Sequence, residues 1–74
     1  MKLTVYLKDG STFEVPDFES VYLVGQAGSR KLASLEKIPL SDPKSQNLSV
    51  KFEGISNTGL VRIADISHIL TNSD

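Results

Sequence analysis

The chain has 74 residues, eight basic and nine acidic side chains, one histidine and no cysteine. A length of this order supports one core and one domain, 1–74, and the absence of cysteine excludes disulfides, thiol catalysis and zinc sites built on thiolates. A net charge of −1 supplies no global field toward phosphate backbones or anionic membranes, while 39% hydrophobic and 23% charged residues suit an ordinary folded domain.

At the N-terminus, Leu3, Val5 and Leu7 alternate with Lys2, Thr4, Tyr6 and Lys8. That is the period of two expected of a strand with one buried face. The same stretch has no continuous apolar run of signal-peptide or membrane-helix length, so no membrane association and a cytoplasmic location are expected. Asn47-Leu48-Ser49 matches a glycosylation sequon, which has no consequence without secretion.

Asp9-Gly10 marks a turn, and Phe13 and Val15 alternate with Thr12 and Glu14 beyond it. Parity selects the loop. A two-residue loop would place Leu7 opposite Thr12 and Val5 opposite Glu14, mixing apolar and polar residues on one face. A three-residue loop, Lys8-Asp9-Gly10, pairs Val5 with Phe13 and Leu3 with Val15, and predicts a bulged turn with Gly10 at positive φ.

Pro16-Asp17 ends the second strand, with Phe18 folding back on the core. Val21-Tyr22-Leu23-Val24 is apolar on both faces, so something must cover its second side. From Ser29 to Ile38 the period changes: Leu32, Leu35 and Ile38 recur every third residue, with Ser29 placed to cap and Pro39 to stop a short helix. Arg30 and Lys31 oppose the dipole at its first turn. Leu40 to Gln46 reads as a surface loop.

Leu48, Val50 and Phe52 alternate with Ser49, Lys51 and Glu53, and Val61 and Ile63 return on a fifth strand. Pairing Phe52 with Val61 and Val50 with Ile63 leaves the loop Ile55-Ser56-Asn57-Thr58. Asp65 can then cap a helical turn in which Ile66, Ile69 and Leu70 share a face, with Thr71 to Asp74 fraying; the fifth strand continuing into Ile66-Ser67-His68-Ile69 is the competing reading. Together these elements predict a mainly β fold: a small, partly open five-stranded barrel with one short connecting helix.

Chemistry is sparse. Asp65-Ile66-Ser67-His68 invites a catalytic-triad reading, but a triad needs a cleft and oxyanion donors that a domain this small hardly encloses, so no catalytic residue is assigned. The carboxylates are dispersed around one histidine, so no metal site or cofactor is expected. Gly25-Gln26-Ala27-Gly28-Ser29-Arg30-Lys31 could offer amides and cations to a phosphate, yet lacks the spacing of a P-loop and reads more simply as the exit from the third strand. Tyr6 and Tyr22 could stack on bases or anchor an interface, and Tyr22 with Val24 would form an apolar patch unless the Ser29–Ile38 helix covers them.

Val5-Tyr6-Leu7-Lys8-Asp9-Gly10-Ser11-Thr12-Phe13 resembles the opening hairpin of the Sm-like small RNA-binding barrels, and Val61-Arg62-Ile63-Ala64-Asp65-Ile66-Ser67-His68-Ile69 is similar to their closing motif. This resemblance implies a bent barrel of SH3-like or Sm-like type, a ring-shaped oligomer and single-stranded RNA, with Arg62 as the one matching site position. The Leu-Lys-Asp-Gly opening and Asp-Ile-x-x-Ile ending also resemble short β-proteins of Gram-positive phages and prophages, implying an accessory interaction role.

The expected function is therefore a non-enzymatic interaction module that self-associates as a homo-oligomer or binds a protein partner, because an uncovered third strand and open edges invite pairing. The alternative is an RNA, other nucleic-acid or nucleotide binder. The candidate binding residues are Tyr6, Tyr22, Val24, Arg30, Lys31 and Arg62.

Overall fold

A computed structural model describes residues 1–72 as a mainly β protein with two antiparallel sheets. Its strands are β1 (Lys2–Leu7), β2 (Thr12–Val15), β3 (Phe18–Gly25), β4 (Gly28–Lys31), β5 (Ser49–Gly54), β6 (Thr58–Arg62) and β7 (Ile66–Asn72). The smaller sheet has the order β2-β1-β7 and the larger the order β4-β3-β5-β6. Instead of the expected five strands in one barrel, the described residues form seven strands in two sheets, with no closed barrel.

The first hairpin follows its parity. Leu3 pairs with Val15 and Val5 with Phe13. The Leu7 amide donates to the Ser11 carbonyl at 2.9 Å, the Gly10 amide donates to the Leu7 carbonyl at 3.0 Å, and Gly10 has φ +94°. Asp9 braces the turn: its carboxylate accepts from the Ser11 hydroxyl at 2.6 Å and the Ser11 amide at 2.8 Å. These bonds, the hydroxyl first, hold the Asp9 carboxyl below its ordinary value.

The second hairpin is displaced. Val50 pairs with Val61 and Phe52 with Gly59, two residues from the expected partners. The Gly54 amide donates to the Asn57 carbonyl at 2.9 Å, so Ile55-Ser56 makes a two-residue turn. A shift of two keeps every side chain on its face, which is why parity alone does not detect it. Packing selects the observed register: a Cβ on residue 59 would stand 2.5 Å from Phe13 Cε2. Glycine opposite Phe52 gives the Phe13 ring its space.

The Ser29–Ile38 helix does not form. Gly25 pairs with Gly28 around a Gln26-Ala27 turn, and β4 runs back along β3 through Tyr22↔Lys31. The Leu32 amide extends the pairing to the Val21 carbonyl at 2.9 Å. Leu32 and Ile38 are buried, so the three-residue spacing does mark core contacts, but only Leu35–Lys37 is helical, as a single 3-10 turn. A strand satisfies the open edge of β3 and avoids placing Arg30 and Lys31 at a helix N-terminus.

Near the end of the described chain neither expectation holds as stated. Asp65 closes a 3-10 turn, Ile63–Asp65, instead of capping a helical turn over Ile66–Leu70. The fifth strand does not continue, because that turn carries Ile66–Asn72 into the smaller sheet as the separate strand β7. Thr71 and Asn72, expected to fray, pair with Leu3 and Lys2. The fraying expected at Ser73 and Asp74 lies outside the described residues. Between β4 and β5, Asp42 accepts bonds from the Lys44 amide and Ser45 hydroxyl, ordering the loop after Leu40. Leu3, Val5, Val15, Val21, Val50, Phe52 and Ile63 form the centre of the core, drawn from both sheets.

Candidate functional site

The larger sheet presents one face to the core and one outward. Val50 and Phe52 point inward, so Ser49, Lys51 and Glu53 point out. Register extends this outward face across all four strands. One transverse row reads Lys31, Tyr22, Lys51, Leu60, and the next reads Ser29, Val24, Ser49, Arg62.

Four of the six sequence candidates, Tyr22, Val24, Lys31 and Arg62, therefore share one surface. No segment of the described chain forms the helix that would have covered Tyr22 and Val24; both are half-buried by strand neighbours. Lys51 joins them, with its ammonium 5.3 Å from the Tyr22 ring centroid. Its Nζ also lies 3.7 Å from Glu53 Oε2. Leu60, 64% exposed, closes the row on β6. The surface thus carries three cations, one of them, Lys51, over an aromatic ring and beside a carboxylate.

Two candidates lie elsewhere. Arg30 pairs with Leu23 and so takes the opposite parity on β4 from Lys31. Tyr6 belongs to the smaller sheet, where it stacks on His68 with centroids 4.3 Å apart and planes 10° apart. One face of that ring is already occupied. Lys51 was missed as a site residue although its outward direction follows from Val50 and Phe52; the missing information was that β5 lies beside β3.

Gly25 to Lys31 forms a hairpin and not a phosphate cradle at a helix start. Ser67 Oγ lies 3.1 Å from His68 Nδ1 on an exposed strand. Among the described residues no three His, Asp or Glu side chains gather as a metal site, and no buried side-chain polar atom lacks a partner. No described helix is long and apolar enough to cross a membrane. No protein family, curated protein or solved structure matches the chain.

Proposed function

We propose that this protein is a non-enzymatic binding module and that its ligand is single-stranded nucleic acid laid across the outer face of the larger sheet. The observation that carries this reading is the row Lys31–Tyr22–Lys51–Leu60 with Arg62 in the row beside it. Lysine and arginine neutralise phosphates and release counterions, while an aromatic side chain offers a stacking surface to any base. The local excess of cations supplies an attraction that the net charge of −1 conceals.

The small-barrel reading, SH3-like or Sm-like, is supported by the chain path. A hairpin is followed by the larger sheet, and then a 3-10 turn at Ile63–Asp65 sends β7 back to pair with β1. Contacts of β2 with both β5 and β6 bring the two sheets together at one side. A self-associating module is the second reading, favoured by the open edge of β7.

Fluorescence anisotropy with labelled oligo-U and oligo-dT of about 12 nucleotides, within the span one small β-barrel covers, tests the nucleic-acid reading. Binding at low salt that weakens with added salt is expected, and Tyr22→Leu should weaken it about tenfold or more, the contribution of one stacked base. No change in anisotropy with either oligonucleotide at low salt overturns the proposal.

A further inference from the structure

β7 is the outer strand of the smaller sheet, and the direction of its free backbone groups follows from the first hairpin. Leu7 directs its amide and carbonyl toward β2, so Leu3 and Val5 do the same by the alternation of an antiparallel ladder. Lys2, Thr4 and Tyr6 then bond toward β7, opposite Asn72, Leu70 and His68. Ile69 and Thr71 consequently turn their amides and carbonyls outward. The same alternation places the Glu14 carbonyl on the outer side of β2, where Asn57 Nδ2 donates to it at 3.0 Å.

The other sheet edges are protected. Asn57 takes a carbonyl of four-residue β2, four-residue β4 carries Arg30 and Lys31, and β6 contains Gly59 and Arg62. β7 differs: its seven residues, Ile-Ser-His-Ile-Leu-Thr-Asn, include no Lys, Arg, Asp, Glu, Pro or Gly. A long, uncharged edge of this composition is a template for another strand.

We propose that β7 pairs antiparallel with β7 of a second copy about a two-fold axis, joining the smaller sheets into one of six strands. The outward groups match when Ile69 bonds to Thr71 of the second copy, and Thr71 to its Ile69. This register sets the two Leu70 side chains opposite one another at a non-hydrogen-bonded position, where Cα atoms approach to about 4.5 Å. Leu70 is 53% exposed in the single chain, and the pairing covers it.

No like charges meet, since His68 faces Asn72 on each side of the axis. A centre on Ile69 would need Ser67 in the ladder, whereas the register shift between Tyr6 and Leu7 takes Ser67 out. Beside the edge, a groove of about 770 Å³ whose lining includes Met1, Phe18, Leu35, Leu40 and Ile69 together with Glu36 gives the inward-facing Ile69 of the second copy a largely apolar seat. This interface is on the smaller sheet and independent of the nucleic-acid reading.

Light scattering from micromolar to millimolar concentration should show a monomer–dimer equilibrium. Because the chain has no cysteine, Leu70→Cys introduces a single thiol. Mild oxidation should link two copies through it, since the expected approach lies within the Cα range of about 4.4–6.8 Å that disulfides require. Asn72→Cys, distant from its own counterpart, should cross-link far less.

Thr71→Pro removes an outward amide without removing a bond to β1 and should abolish the dimer while preserving the fold, checked by circular dichroism. A strict monomer at millimolar concentration overturns the proposal, including one that captures an added extended peptide instead. So does a dimer in which Leu70→Cys cross-links no faster than Asn72→Cys, or one that survives in folded Thr71→Pro.

Discussion

Phe13 meets Phe52 edge to face, with ring centroids 6.0 Å apart and planes at 61°, across the space that Gly59 leaves open. The contact joins β2 of the smaller sheet to β5 of the larger and fixes the second hairpin's register. Gly59→Ala forces the Phe13 ring aside, and overpacking of this kind costs about 1–3 kcal/mol. Urea denaturation should show the loss, and Phe13→Leu in the same chain should recover part of it, a coupling expected of residues in contact.

Gly10 provides a contrasting case. Nothing lies within 4 Å of a Cβ built there, but its φ of +94° disfavours any L side chain. Gly10→Ala should therefore lose about 1–2 kcal/mol through backbone conformation alone. Denaturation midpoints check this, and no compensating core substitution should restore the difference.

The turn beside Gly10 also responds to acid. Asp9 is fully exposed, but its bonds to the Ser11 hydroxyl and amide lower its carboxyl pKa from the reference 3.8. A group depressed in the folded state contributes stability above its unfolded pKa and loses it as pH falls through its folded pKa. Asp9→Asn should flatten the acid limb of the stability curve below about pH 4, with little pH dependence of the difference near neutrality. Carbon-detected NMR titration of the Asp9 carboxyl checks the direction.

These positions explain how far the sequence was readable. The first hairpin was legible because Leu3, Val5, Phe13 and Val15 share a side only with an odd loop, and Asp9-Gly10 suits the three-residue one. In the second hairpin, parity assigned faces but left a displacement of two residues unresolved; the deciding contact, Phe13 against Gly59, spans two sheets and has no local signal. Leu32, Leu35 and Ile38 have helical spacing, yet the unpaired edge of β3 drew Gly28–Lys31 into a strand. The candidate surface was legible one strand at a time. Bringing Lys51 to Tyr22, and separating Arg30 from Lys31, required the order and register of the larger sheet.

That arrangement distinguishes charges by face. If Lys31, Lys51 and Arg62 contact phosphates, replacing any one with Gln should reduce the magnitude of the log-affinity versus log-salt slope by about 0.7, the increment for one phosphate on a single strand. Arg30→Gln, at opposite parity on the same strand as Lys31, should leave the slope near its parent value. Glu53→Gln removes the carboxylate 3.7 Å from Lys51 Nζ and should strengthen binding at low salt. Tyr22→Leu should weaken affinity at every salt concentration while preserving the slope, because stacking releases no counterions. Anisotropy titrations at several salt concentrations separate these outcomes; equal slope changes for Arg30→Gln and Lys31→Gln would indicate diffuse attraction to the strand edge instead of a ligand lying across the outer sheet face.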